Sequence, residues 1–174
     1  KNSATALYVG IYDDTLAFSL GRCDELTFEK INFLVECGAS PSEIANKLLR
    51  RDSLAKYRII PKVLDSLELY KEGEVASIVA KEEWFKQTGA HNRDCEDALD
   101  MVMSIAIVKI AIFVRIVNGT SRVSLRSKGQ IDVSKVAGKF GGGGHYNASG
   151  CTIDMLDVEK AKEIVLKEIF EIYE

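Results

Sequence analysis

Residues 141–144 are four consecutive glycines, held between Phe140 and His145. No other stretch restricts the fold so strongly. Glycine brings no side-chain area to a core and loses more backbone freedom on ordering than any other residue. Four in a row are kept for what bare backbone permits: positive φ angles and the close approach of main-chain N–H groups to a ligand. Consecutive N–H groups in such a segment form a nest for an anion, and His145 adds a hydrogen bond or a positive charge beside it. The plainer alternative is a flexible loop.

The surroundings favour an anion. Ser124-Leu125-Arg126-Ser127-Lys128-Gly129 lies just upstream, and the planar guanidinium of Arg126 suits a two-pronged contact to a phosphate. Residues 121–150 carry five Lys or Arg against one Asp, a local charge of +4. Residues 151–174 carry three Lys against seven acidic residues, a local charge of -4. The whole chain stands at -3. That excludes a general basic field for duplex DNA and leaves one basic, hydroxyl-rich region fit for a phosphate ester.

A second candidate is Asp13-Asp14-Thr15. Adjacent carboxylates at the end of a buried element offer hard oxygen ligands to a divalent metal. The competing reading is an acidic helix end followed by a turn. A two-metal centre needs several ligands, and the sequence has no DxD upstream, no His-rich cluster and no HExxH to complete one. His91 reads as a surface-loop residue without a role, and Trp84 as core.

With 174 residues, 47% of them hydrophobic and 28% charged, the chain is globular and long enough for one domain plus a piece. Cys23, Cys37, Cys95 and Cys151 form no CxxC, which predicts reduced thiols in a cytoplasmic protein rather than a zinc site or a disulfide scaffold. No signal-peptide pattern is visible. The chain opens without Met inside an apolar run, residues 4–11, and so reads as part of a longer polypeptide. The longest apolar stretch, residues 105–117, is broken by Lys109 and Arg115 and falls short of the roughly 20 residues a membrane span needs.

Along the chain, residues 4–11 suit either a helix or a strand. Residues 27–37 show helical spacing up to Gly38, and Ser40-Pro41-Ser42-Glu43 starts another helix. Residues 53–71 read as one long helix, kinked or divided at Pro61. From residue 74 the pattern changes: strands at 75–79, 105–117, 122–125 and 151–153, and helices at 81–88, 94–103, from Asp132, and at 157–173. Asn118-Gly119 is a hairpin turn dipeptide.

Two segments carry a family resemblance. Thr5 to Phe18 resembles the last metal-binding motif of the DHH domain, commonly TALYxGIxxDTGxF. Ser124 to Gly129, followed by Gly141 to His145 and Ala148-Ser149-Gly150, resembles the DHHA1 signature SLRS…GGGH..ASG. The chain thus resembles the DHH–DHHA1 phosphoesterases of the RecJ-like superfamily, nearest the branch of nanoRNase/pAp phosphatases and cyclic-dinucleotide phosphodiesterases. The resemblance implies an α/β chain. Residues 1–52 would be the helical C-terminal part of a DHH domain, 53–72 a linker helix, and 73–174 a DHHA1 substrate-binding domain with a mixed β-sheet flanked by helices.

It also implies roles. Asp14 would be a metal ligand, and Arg126, Ser127, Gly142, Gly143, Gly144 and His145 would hold the phosphate or terminal nucleotide. The family's chemistry is phosphodiester hydrolysis with two metal ions, typically manganese, in the cleft between its domains. Substrates would be short oligonucleotides, pAp or cyclic dinucleotides, with no membrane partner. An exposed DHH remnant would favour a homodimer. The DHH triplet and its DxD partner are absent here, so this chain alone is expected to be inactive. Leu16 departs from the motif's Gly, and Tyr146 stands where many relatives carry Arg or Lys. A nucleic-acid-binding module without catalysis, like the glycine-rich domain of alanyl-tRNA synthetases, is the first alternative. An inorganic polyphosphatase is the second.

Overall fold

The computed structural model describes residues 1–15, 17–18, 23–49 and 52–173. They divide into two compact units, Lys1–Asp52 and Ser53–Glu174. The departure at Leu16 lies outside the described residues.

The first unit carries α1 (Asn2–Asp14), α2 (Glu25–Glu36) and α3 (Pro41–Leu49). The apolar opening run is therefore helical. Asp24 caps α2, its carboxylate accepting from the Thr27 N–H at 2.9 Å. The core of this unit is small: Ala4, Tyr8, Leu34, Ala39 and Ile44, with Phe18 edge-on to Tyr8 and Tyr12. At the end of α1, buried Thr15 donates its hydroxyl to the Ile11 carbonyl at 2.6 Å and accepts from the Phe18 N–H at 3.1 Å.

The second unit is a six-stranded mixed sheet between two helical layers. Its elements are α4 (Leu54–Asp65), β1 (Glu68–Tyr70), β2 (Val75–Ala80), α5 (Glu82–Thr88), α6 (Asp97–Met103), β3 (Ile110–Val117), β4 (Thr120–Ser127), α7 (Val133–Lys139), β5 (Gly143–His145), β6 (Ala148–Ile153) and α8 (Val158–Ile172). The strand order is β1-β2-β3-β4-β6-β5, with β2 and β3 parallel and the other neighbours antiparallel. Two spans depart from the sequence reading: the strand expected over 105–117 is formed only as β3, from Ile110, and the long helix is shorter than expected. The helix expected over 53–71 stops at Asp65, where Ser66 donates to the Val63 carbonyl at 2.6 Å and accepts from the Val79 N–H at 3.0 Å. That hydroxyl stitches the chain to β2, and residues 68–70 become an edge strand. Pro61 sits inside α4, and burial of Ile59, Ile60 and Val63 against the sheet holds the helix across the missing hydrogen bond.

Side-chain alternation sorts each strand between the two layers. Ile110, Ile112 and Val114 of β3 join α7 and α8 in one core, while Ala111 and Phe113 join α4 and α6 in the other. Both faces of β2 and β3 are covered, which explains their unbroken apolar runs. β4 and β6 differ. Val123, Leu125 and Cys151 enter the α7–α8 core, so Arg122, Ser124 and Arg126 of β4 and Ala148, Gly150 and Thr152 of β6 lie on the opposite face. Asn118 and Gly119, with φ of 51° and 81°, make the β3–β4 turn the dipeptide announced.

The glycine run closes the sheet. A Cβ on Gly142 would lie 2.3 Å from the Gly150 carbonyl oxygen, and one on Gly144 would lie 2.6 Å from the Ala148 oxygen, with Gly144 at φ 143°. β5 docks on β6 at a separation that admits no side chain at these two positions. Among the described residues no helix is long and apolar enough to cross a membrane.

Two outcomes follow from this packing. Gly142→Ala and Gly144→Ala should each destabilise the chain by about 2 kcal/mol or more, read as a lower urea midpoint, because backbone and not a flexible side chain stands in the way. Gly143→Ala, with open space around its position, should cost about 1 kcal/mol or less. All four cysteines are free thiols, and burial pushes Cys95 up to about 12 and Cys151 up to about 11. A thiol reagent at pH 8 should therefore label exposed Cys37 first. At pH 8 and at pH 9 alike Cys95 and Cys151 should stay far slower than Cys37, because they are buried and their thiolate forms are scarce.

Candidate functional site

Strand register places the expected phosphate-binding residues. Arg126 of β4 pairs with Ala148 of β6, which pairs with His145 of β5. Directly opposed residues in antiparallel strands share a face. Arg126 and His145 therefore flank Ala148 on one side of the sheet, with Cα positions about 10 Å apart across two strand spacings. The next row is Ser124, Gly150 and Gly143. The result is a shallow trough: a methyl group and two bare glycines for a floor, a guanidinium on one bank and an imidazole on the other. α7 packs against β5 and β6 through Val133, Val136 and Ala137 on the opposite face, so the trough stays open. His145 and its glycine neighbours are exposed, and the Arg126 side chain is 40% exposed.

The run is more ordered than a nest. Its first two amides are committed, Gly141 N–H to Gly138 O at 3.0 Å and Gly142 N–H to Ala137 O at 2.9 Å, which closes the C-terminus of α7. Donors for an anion come instead from β5, an edge strand whose outer main-chain groups have no neighbouring strand. Ser127 is also committed: its hydroxyl donates to the Ile131 carbonyl at 2.6 Å and accepts from Asn147 Nδ2 at 2.9 Å. It shapes the β5–β6 turn, lying one position from Arg126 and hence on the other face of β4. Tyr146 donates its hydroxyl to the Gln130 carbonyl at 2.8 Å.

Arg126 touches little. Its Nη1 donates to the Leu125 carbonyl at 3.2 Å, and its Nε lies 3.9 Å from an Asp100 oxygen. Behind it opens a groove of about 380 Å³, lined by Glu96, Asp97, Asp100, Arg115, Ser124 and Arg126 among others. Sequence reasoning missed this groove and missed Ala148 and Gly150 as the trough's floor. The alternation of Arg122, Ser124 and Arg126 along one strand was a signal for it, but only register shows what they face.

Asp14 belongs to the first unit and is exposed at the last turn of α1. Among the described residues no group of three or more His, Cys, Asp or Glu is placed to hold a metal ion. A two-ion centre does not fit the donors present.

The DHHA1 domain family model matches residues 72–173. The bifunctional oligoribonuclease and PAP phosphatase NrnA of Thermus thermophilus is 27% identical over 97% of this chain and 50% of its own length. The cyclic-di-AMP phosphodiesterase PdeA of Listeria monocytogenes is 29% identical over 95% of this chain and 24% of its own length. Among solved structures, an exopolyphosphatase-related protein from Bacteroides fragilis superposes with a TM-score of 0.89 at 26% identity, covering 97% of this chain and 49% of that one. This chain thus spans half or less of the length of these relatives. A match running unbroken from β2 to α8 places the chain in the DHH–DHHA1 phosphoesterase family, as a carrier of its DHHA1 domain.

Proposed function

We propose that this chain holds the terminal phosphate of a nucleotide for a phosphodiesterase of the oligoribonuclease, pAp phosphatase or cyclic-dinucleotide type. The observation that carries the reading is the Arg126–Ala148–His145 row. The register brings two side chains able to bear positive charge to one face of the sheet on either side of a floor with no bulk, where a tetrahedral anion can settle against the main chain. The guanidinium supplies charge and paired donors, the imidazole supplies a second donor, and the edge of β5 supplies amides. The names of the relatives, which cover oligoribonucleotides, PAP and cyclic-di-AMP, support nucleotides as the class.

Chemistry is a separate contribution. Metal ions in such phosphodiesterases generate the attacking hydroxide and stabilise the leaving oxygen. Asp14 is assigned as one ligand of a divalent, manganese-type centre, with its co-ligands drawn from the part of the relatives that this chain does not span. The chain's own residues then bind and orient the nucleotide, and hydrolysis needs the rest. A binding role without hydrolysis remains the second reading, favoured by the lack of a metal-ligand cluster among the described residues. A cytoplasmic setting and a homodimer belong to the same proposal, the latter from Leu7, Leu26, Phe28 and Phe33 exposed on the first unit.

Titration of the 174-residue chain with adenosine 5′-monophosphate, followed by amide NMR shifts, tests the binding. Shifts should centre on residues 124–127 and 143–150. Arg126→Ala should weaken binding at least tenfold, about 1.5–3 kcal/mol for a charge-assisted contact, and His145→Ala by a few-fold. Shifts centred elsewhere, or indifference to Arg126→Ala, would overturn the reading. In the full-length protein, Asp14→Ala should lower manganese-dependent hydrolysis about 100-fold or more, whereas a pure binding module would show no metal-dependent turnover to lose. Turnover of a short oligoribonucleotide by the 174-residue chain alone would contradict the division of labour.

A further inference from the structure

The groove behind Arg126 has chemistry of its own. Three carboxylates and two guanidiniums line it. Two of the carboxylates are engaged: Glu96 holds Arg115 at 3.0 Å and Asp97 holds Lys56 at 2.5 Å. Asp100 is not held in the same way. Its carboxylate approaches Arg126 Nε only to 3.9 Å, outside hydrogen-bond reach, and its side chain is 73% exposed at the groove mouth. Ser124 adds a hydroxyl to the same wall. At the inner end Arg115 is nine-tenths buried, and its Nε hydrogen finds no acceptor. Its guanidinium also lies over the Phe113 ring, 5.0 Å from the centroid, and so closes the inner end of the groove.

Arg126 stands on the border between trough and groove. A phosphate held on its His145 side leaves the attached nucleoside to turn toward the Asp100 side. The first part of a nucleoside beyond its phosphate is ribose, whose two neighbouring hydroxyls are donors. A carboxylate with two oxygens is the matching acceptor, the pairing by which acidic side chains hold ribose hydroxyls in dinucleotide sites. We infer that the groove is a nucleoside subsite in which Asp100 accepts from the ribose hydroxyls, so that the site selects ribonucleotides over 2′-deoxyribonucleotides. The inference rests on the phosphate reading of the trough, and it adds a specificity-determining residue to it. The 2′-hydroxyl is the group that separates the two nucleotide classes.

The test is the affinity ratio of adenosine 5′-monophosphate to its 2′-deoxy form, measured on the 174-residue chain by NMR titration. Asp100 is exposed on α6 and alanine is a good helix former, so Asp100→Ala should fold, and amide dispersion checks it. The wild-type chain should favour the ribonucleotide about fivefold to tenfold, and the ratio should fall toward one in Asp100→Ala. Ser124→Ala should lower it partway. A wild-type ratio near one overturns the inference, and so does a ratio that persists in Asp100→Ala. The latter includes the case where both nucleotides bind more tightly because Asp100 merely competes for Arg126. If neither nucleotide binds, or binding ignores Arg126→Ala, the phosphate reading falls and takes this inference with it. If binding needs Arg126 but ignores the 2′-hydroxyl, the subsite alone falls.

Discussion

The distance between β5 and β6 governs the site. With 2.3 Å from a Cβ on Gly142 to the Gly150 carbonyl oxygen, the edge strand touches its neighbour main chain to main chain. That closeness sets the register in which His145 meets Ala148 and Ala148 meets Arg126. A slip of one residue would send His145 to the α7 side of the sheet, since side chains alternate with a period of two. The two-residue turn between the strands is pinned by Asn147, whose amide reaches Ser127 Oγ at 2.9 Å and the Gly129 carbonyl at 3.1 Å. Ser127 thus acts on the site through geometry, and the glycines act first as a fit between strands and second as a clear floor.

Charge in the basic segment divides in the same way. Lys128 donates to the Ile105 carbonyl at 2.8 Å, and Lys139 pairs with Glu168 of α8. Arg122 shares the open face but reaches toward Thr152 at 3.4 Å. The local excess of +4 therefore does not converge on one point. Arg126, held by its own backbone carbonyl and by a distant Asp100, is loosely engaged and the best placed over the floor, whereas Lys135 sits on α7, across the sheet from it. On the far edge of the sheet Lys162 is buried between Glu68 and Glu159 at 2.9 and 2.8 Å. Burial alone would lower its pKa; the two carboxylates outweigh that and raise it. There an ion pair fastens α8 to β1, a structural use of charge unlike the half-exposed Arg126 of β4.

Much of this was legible in the residues. Asn118-Gly119 announced its hairpin, Asp132 the capped start of α7, and the glycine run with Arg126 pointed to the region of the candidate site. The fold class, a mixed sheet flanked by helices after a helical unit, followed from the motif order. Other features needed tertiary contacts. Leu67, Leu69 and Tyr70 continue a helical apolar spacing from α4, and only the pairing of Ser66 with Val79 ends the helix. The glycines read as a loop because a three-residue strand without side chains has no periodicity to show. The commitment of two of their amides to α7 depends on where that helix ends. The groove at Asp100 lies between residues distant in sequence, and no local pattern announces it.

A floor of Ala148, Gly150 and Gly143 offers no side chain to read a base. On the proposed reading such a trough would recognise charge and the tetrahedral shape of phosphate and take any nucleotide end that fits. That suits a domain shared by relatives named for oligoribonucleotides, PAP and cyclic-di-AMP. Discrimination among such substrates has to come from positions beyond the phosphate, where side chains differ without disturbing the strand contact. In the second unit those positions border the trough on α6 and on the free side of β4. There a substitution would, on the proposed reading, change what is bound while the backbone contact between β5 and β6 stays intact.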